Sequence, residues 1–497
     1  MSKKKTSIQK FYEGKVIFLT GATGFIGKLL LEKCLRSLNL KKIYILVRVK
    51  KGKDQNTRLK KLLESPIYDK VKSLNPNFFE KISILNGDLT CPNLGLSDED
   101  IKILINEVDC IIHCAATVSF VEHLSLATKM NVIASRDLLR IAKKMHNLHS
   151  YVHVSTAYSN MNRNEIDEIF YESAMEPDKL LEMIKTFNDD YITDLTPKII
   201  KDFPNTYAFT KNVSETIIKR EGVGLPISII RPSIVMATHK EPLVGFVDNY
   251  LTVSGMAVAV GLGLTRTLRL DENIVFDIIP ADFVANQILA MGWNNYRKSK
   301  SAYQSNNITL YNCVSGYENP IHLGYMINLF LHACHIFGAA KKSIWYPFLL
   351  VTSNETLYKI YAFFLNIIPF YLFDFCLKIM GKKPFIMNIY SRFDSMRQLF
   401  DVFMTKQWYF HAKNTNQLYN SLSDDDKELF NFDVKKIDWP KFLINNATGM
   451  KIYLVKDTSG ESGLKKLKRL KYIHLLLICL VITVLYYSFK LIYLVLR

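Results

Sequence analysis

"TGATGFIGKLLLEKCLR" occupies Thr20 to Arg36, directly behind the apolar run "KVIFL" of Lys15 to Leu19. Gly21, Gly24 and Gly27 stand three apart where a buried strand gives way to a helix with apolar spacing. Glycine permits a tight turn there and lets backbone N–H groups approach an anion at the helix N-terminus, where the dipole favours negative charge. Strand, glycine turn and helix in that order read as a dinucleotide-binding turn. Thr20, Gly21, Thr23, Gly24, Phe25, Ile26 and Gly27 are therefore expected at the cofactor.

Working outward, the second strand "IYILVRVKKGK" ends in Arg48, with Lys50 and Lys51 behind it. An acid at that position would accept the ribose 2′-hydroxyl of NAD. A cation suits a 2′-phosphate instead, so Arg48 and Lys51 predict NADPH. "GDL" (Gly87 to Leu89) follows the third strand and offers Asp88 to the adenine amino group, with Leu89 beside it. "HCAAT" (His113 to Thr117) ends the fourth and sets Ala115 and Ala116 against the sugar-phosphate path. Strands at "KVIFLT", "KIYILVR", "KISILNGDL", "VDCIIHCAA" and "YVHVSTAYS" alternate with helical stretches such as "NVIASRDLLRIAKKM". That alternation predicts an α/β fold, a doubly wound parallel sheet covered on both faces. Residues 161–204 read as a helical insertion, 225–237 as a returning strand, and 238–290 as loop-like and substrate-facing.

"NTYAFTKNVSE" places Tyr207 and Lys211 four apart, on one face of a helix. A protonated Lys211 would lower the phenol pKa of Tyr207 and hold the nicotinamide ribose. Tyr207 would then give its proton to a carbonyl oxygen as hydride reaches carbon. A second hydroxyl donor to that oxygen is expected from "VSTAY", where Ser155 and Thr156 end a strand, Thr156 being favoured. Arg231, Pro232 and Ser233 follow on the next strand, with Pro232 and Ser233 expected against the nicotinamide.

The chain has 497 residues, 49% hydrophobic and 22% charged, which suits more than one folded unit. A formal charge of +18 calls for an anionic partner, a membrane surface or a phosphorylated ligand. No nucleic-acid-binding module accompanies it, so no nucleic acid is expected. Eight cysteines lie scattered without a Cys-x-x-Cys pair or a leading signal peptide, which predicts reduced thiols facing the cytosol. Cys110, His113 and Cys114 share one strand and point to opposite faces, so no metal site is expected.

Tyr472 to Phe489, "YIHLLLICLVITVLYYSF", has no Asp, Glu, Lys or Arg. Eighteen helical residues span about 27 Å, near the thickness of a bilayer core. The cluster "LKKLKRLK" just before it predicts that this flank stays cytosolic. The stretch reads as a transmembrane tail anchor. Residues 357–380 are also strongly apolar, but Lys359, Asn366, Pro369 and Asp374 interrupt them. A hairpin in the membrane surface, one framing an apolar tunnel and a buried core hairpin all stay open.

The motifs "FYEGKVIFLTGATGFIGKLLLEKCLRS", "IYILVRVKKG", "HCAATVSF", "HVSTAYSN", "RPSIV", "EPLVGFVDN" and "DIIPADFVANQILA" together resemble a fatty acyl-CoA reductase, within the extended short-chain dehydrogenase/reductases. The stretch from Arg392 to Asp457, with Trp408, Phe430, Trp439, Gly449 and Tyr453, resembles that family's C-terminal domain. The resemblance implies a Rossmann-like domain and a smaller, mostly helical one ahead of the anchor. The expected segments are a basic start (1–14), an NADP-binding and catalytic domain (15–340) and an apolar membrane-associated or tunnel-forming segment (341–385). The family's C-terminal domain (386–460), a basic linker (461–471) and the anchor (472–489) follow.

The implied substrate is a long-chain acyl-CoA, reduced by NADPH to an aldehyde with loss of CoA and by a second NADPH to the primary alcohol. Thr156, Tyr207 and Lys211 would serve both steps, because each develops negative charge on the same oxygen. A membrane-bound dehydrogenase of a sterol or other lipid carbonyl would use the same trio but leaves the C-terminal resemblance unexplained. A cofactor-sensing scaffold would have no need of Tyr207 and Lys211. The body is expected in the cytosol on the endoplasmic reticulum or peroxisome, with a homo-oligomer left open. The sequon at Asn307 should then stay bare.

Overall fold

A computed structural model describes residues 4–49, 52, 54–251, 253–300 and 308–497. Lys50, Lys51 and Asn307 lie outside the described residues.

Among these residues seven strands form one sheet: β1 (Val16–Thr20), β2 (Lys42–Val47), β3 (Ile82–Asn86), β4 (Cys110–His113), β5 (Ser150–Val154), β6 (Ile227–Pro232) and β7 (Thr309–Cys313). Every neighbouring pair is parallel, in the spatial order β7-β6-β5-β4-β1-β2-β3. All five side chains of β1 are buried, as they must be in a strand with helices on both faces. From β1 the chain moves outward to β2 and β3, then returns to lay β4 on the other side of β1, where Ile17 pairs with both Ile43 and Cys110. The direction of winding therefore reverses between β1 and β4. The crevice beyond their C-terminal ends is where folds of this kind bind ligands. The doubly wound parallel sheet expected from the alternating runs is the fold.

Residues 161–204 carry two helices, Pro177–Thr186 and Asp189–Ile200. The returning strand is split: β6 stays in the sheet, while Ile234–Met236 leaves it to pair with Ile278–Pro280. The loop-like reading of 238–290 gives way to a helix at Val253–Leu262 and short strands at Thr267–Arg269 and Ile278–Pro280. Gly245 and Gly263 turn the chain at positive φ, whereas Gly255, inside the helix, serves close contact. A Cβ on Gly255 would lie 2.2 Å from the Tyr250 carbonyl oxygen, and one on Gly261 would lie 3.4 Å from Cys334 Sγ.

The chain divides into two compact units, each assembled from three separate stretches. The first comprises Met1–Val244, Phe276–Pro320 and Gln407–Ile437; the second Gly245–Val275, Ile321–Lys406 and Asp438–Arg497. Hydrogen bonds explain why Gln407–Ile437 belongs to the first. The Glu168 carboxylate accepts from the backbone of Asn312 (2.8 Å), Thr415 (3.1 Å) and Asn414. Asn312 donates to the His411 carbonyl and Thr415 to the Asn312 carbonyl, at 2.8 and 2.9 Å. The outer edge of β7 is thereby covered. At the other end of the chain, Asp426 accepts from the Ser7 and Ile8 N–H groups, each at 3.2 Å, at the start of helix Ser7–Tyr12.

The second unit is mainly helical. Leu323–Phe337 packs on Trp439–Gly449, and a Cβ on Gly449 would fall 1.7 Å from the Gly245 carbonyl oxygen. Buried Arg266 lies 4.6 Å from the Trp345 ring and 4.8 Å from that of Phe370. One helix of 36 residues, Glu461–Leu496, closes the chain. The expected basic linker is thus its first turns. The Ala339 N–H donates to the Gly463 carbonyl at 3.0 Å, fixing the base of this helix to its unit.

Candidate active site

The glycine turn sits at the C-terminal end of β1. Gly21 has φ +79°, and a Cβ there would lie 2.7 Å from the Ala115 nitrogen, so the loops after β1 and β4 touch only because that side chain is missing. A Cβ on Gly27 would meet the Gly21 carbonyl oxygen at 2.0 Å. Gly24 caps helix Phe25–Ser37, whose first turn carries no acid and so presents its N-terminus to an anion. These glycines fit a dinucleotide: they form a cradle that side chains would fill. Thr20 is fully buried, bonded to His113 Nδ1 at 2.8 Å and accepting from the Ala115 N–H at 3.2 Å. It shapes the turn from behind rather than facing a ligand.

Arg48 leaves the end of β2 with Nη1 3.5 Å from Asp88 Oδ2. Burial alone would raise the Asp88 carboxyl, but donation from Thr90 and the charge of Arg48 hold it below its usual range. Asp88 thus pairs with the cation expected to read the ribose. Arg58, which composition alone did not single out, donates to the Arg48 carbonyl and approaches Thr23 Oγ1 at 3.4 Å. Burial and the nearby Arg48 charge lower its pKa. Two guanidiniums and Thr23 therefore share one corner beside the glycine turn. Leu89 is buried, while Ala115 and Ala116 are half-buried at the end of β4.

Helix Thr206–Glu221 starts at Asn205, whose side chain accepts from the Ala208 N–H at 2.9 Å. One stripe of this helix carries Tyr207, Lys211 and Glu215, four residues apart. The Thr156 hydroxyl lies close enough to act on the Tyr207 phenol, whose ring stacks on Phe120 with centroids 6.0 Å apart. Lys211 Nζ donates to the Val154 carbonyl at 2.7 Å, at the end of β5. Burial lowers Lys211 to about 8, against the opposing charges of Cys114 and Glu215. The expected lowering of Tyr207 is absent: burial raises the phenol, the Thr156 hydroxyl opposes it, and the Lys211 ammonium is turned to a carbonyl.

Ser155 goes elsewhere. Its hydroxyl donates to Glu215 Oε1 at 2.5 Å, beside Ser159 at 2.9 Å. Arg231, 0% exposed, reaches the same carboxylate through Nε at 3.0 Å and Nη2 at 2.6 Å. Its remaining donors go to the Asp167 and Ile169 carbonyls. Arg231 is thus a structural partner of Glu215, and Pro232 and Ser233 are buried behind it. Glu215 was missed by the sequence reading, although the Tyr-x-x-x-Lys spacing continued by one more step of four could have pointed to it. Among the described residues no group of three or more His, Cys, Asp or Glu side chains is set to hold a metal.

A family model described as male sterility protein matches residues 19–288, and a second of the same description matches 365–457. Mouse (Mus musculus) fatty acyl-CoA reductase 1 is 39% identical over 456 residues, covering 91% of this chain and 87% of that protein. The chain belongs to the fatty acyl-CoA reductase family. Cattle (Bos taurus) fatty acyl-CoA reductase 2 is 38% identical, with 90% and 86% covered. Drosophila melanogaster fatty acyl-CoA reductase wat is 35% identical, with 92% and 87% covered. Among solved structures, the reductase domain of a Mycobacterium tuberculosis non-ribosomal peptide synthetase superposes with a TM-score of 0.57 at 17% identity, covering 90% of this chain and 95% of that one. The terminal R domain of the myxalamid pathway gives 0.55 at 20%, covering 90% and 93%. These two share the fold. Fatty acyl-CoA reductases are oxidoreductases, and the cradle at the switch point is where such a sheet holds a nicotinamide dinucleotide.

Proposed function

We propose that this fatty acyl-CoA reductase family member converts a long-chain acyl-CoA to the primary alcohol and CoA, through the aldehyde, using NADPH. The Thr156 hydroxyl acting on the Tyr207 phenol, one helical turn from Lys211, carries this reading. NADPH supplies the hydride in each of the two reductions. The chain's own residues do the rest. Tyr207 and Thr156 hold the substrate oxygen between two hydroxyls and stabilise the charge that grows on it in both reductions. In the first, the oxygen's electrons return to expel the thiolate of CoA. In the second, Tyr207 gives up its proton to make the alcohol. Lys211, half-charged near pH 8, keeps an ammonium close to the phenolate left behind.

Arg48 and Arg58 support NADPH over NADH, since paired guanidiniums match a 2′-phosphate with fork geometry. The exposed apolar length of helix Glu461–Leu496, behind Lys465, Lys466, Lys468 and Arg469, supports a tail anchor with the body on the cytosolic side. The test uses the full chain in detergent with palmitoyl- or stearoyl-CoA and either NADPH or NADH, products being identified by gas chromatography. Wild type should yield alcohol with NADPH. Tyr207→Phe should lose about 10²–10⁴-fold in kcat with folding unchanged. Arg58→Ala should raise the KM for NADPH and leave that for NADH in place. Aldehyde as the only product would limit the protein to one reduction, and no product at any chain length would overturn the reading.

A further inference from the structure

The second unit contains a helix whose polarity is inverted. Glu355–Ala362 runs on through a π-turn at Phe363–Ile367 into Ile368–Ile379. Its buried stripe is one residue wide and repeats every four: Tyr358, Ala362, Asn366, Phe370 and Asp374. Two of those five are polar, and the side-chain oxygens of both accept hydrogen bonds from the protein backbone. Asn366 accepts from the Arg266 N–H at 3.0 Å. Asp374 accepts from the N–H groups of Phe385, Ile386 and Met387 at 2.9–3.1 Å. The outward face is apolar: Phe364 is 62% exposed, Phe375 61% and Ile379 71%, with Phe363, Leu372 and Met380 beside them. Between Lys359 and Asp374 there is no charged residue. A soluble protein's surface helix does the reverse, and an apolar patch this long marks an interaction surface.

Both ends of the helix are tied to one body. Before it, Leu350–Thr352 pairs with Thr267–Arg269, and Arg269 reaches Glu355 at 3.3 Å. After it, helix Ile386–Thr405 runs back, with Asp394 3.2 Å from the Tyr358 hydroxyl and the Met404 carbonyl 2.9 Å from the Asp271 N–H. That return helix carries Arg392, Asp394, Arg397 and Asp401, which a bilayer core would not accept. A single crossing would separate ends that the fold holds together. Lys359, Lys378, Lys382 and Lys383 lie exposed about the apolar face, where they suit anionic headgroups.

We infer that helix Glu355–Ile379 is a second membrane contact, lying in the bilayer interface with its apolar face among the acyl chains while its polar stripe stays on the protein. The inference rests on the tail anchor proposed above, which brings the unit to a membrane. The contact holds the second unit flat against the lipid from which an acyl substrate comes and into which an alcohol returns.

Cys376 is exposed on this helix, Cys479 on the tail and Cys91 in the first unit, so native thiols report all three places. The full chain would be labelled with an environment-sensitive fluorophore as C91S/C479S, C91S/C376S and C376S/C479S variants. C91S/C376S/C479S measures background from half-buried Cys114 and Cys334. Each is reconstituted into vesicles of phosphatidylcholine and phosphatidylserine, with and without brominated acyl chains. The expected result is blue-shifted, bromolipid-quenched emission at Cys376 and Cys479, with neither effect at Cys91. Quenching at Cys479 alone would overturn the second contact and leave the anchor standing. Probe contact between copies at Cys376 without lipid quenching would give this face to a second chain, and would also overturn it. Quenching at neither position would remove anchor and second contact together.

Discussion

Lys211 joins two demands that pull against each other. It must be buried to stand between the end of β5 and Tyr207, and burial lowers its pKa from 10.5 to about 8. Its ammonium is the form that stabilises a phenolate, so kcat/KM should fall as pH rises through about 8, a loss that Lys211→Arg should move to higher pH. Stability has the opposite sign. Between about 8 and 10.5 the folded state binds fewer protons at Lys211 than the unfolded chain, so this group's contribution rises with pH across that window. A pH–rate profile set beside thermal melts at the same pH values separates the two. At this scale the spacing of Tyr207 and Lys211, and the strand-ending pair Ser155 and Thr156, were legible in the sequence as candidates. Arg58 was not, because it is one of many cations in "GKDQNTRLKKLL" and only the fold brings it to Arg48. The choice between Ser155 and Thr156 was not either. Neighbours on an extended strand end point opposite ways, and only tertiary contact says which way faces Tyr207.

At the scale of elements, helix Thr206–Glu221 is positioned by a buried ion pair more than by its own sequence. Glu215 joins it to β6 through Arg231 and to the loop after β5 through Ser155 and Ser159. Removing one partner strands a charge in a dry interior, and such losses cost about 3–5 kcal/mol. Glu215→Ala should therefore lower the melting temperature sharply, and the surviving folded fraction should turn over slowly because Tyr207 and Lys211 ride on the same helix. The Arg231→Met/Glu215→Leu pair, which leaves no charge behind, should recover most of the stability in calorimetry. The strands were legible because a buried parallel strand is a run of apolar β-formers bounded by turns. Helix Val253–Leu262 was hidden because its glycines imitate loop composition, although Gly255 serves a close contact with the Tyr250 carbonyl.

For the whole molecule, the segments suggested by composition and the two regions matched by family models both run consecutively, whereas the folded units interleave. Composition registers what a stretch is made of and not which strand it will cover. Ending the chain at residue 406 removes the cover of β7, the partner of Glu168 and the carboxylate at helix Ser7–Tyr12. Such a truncation should be insoluble or protease-sensitive, although it retains all seven strands and every residue proposed for proton transfer. A chain ended at 460 keeps those contacts and should resist limited proteolysis.

The cover over β7 also sets a schedule for synthesis. Thr415 closes on a strand residue 103 positions earlier. At about 5–20 residues per second the ribosome needs roughly 5–20 s to deliver it. Throughout that interval the nascent chain carries an unpaired parallel edge, the feature most prone to pair with another chain. Polysomes, where many such edges hang side by side, are where this protein most needs a chaperone.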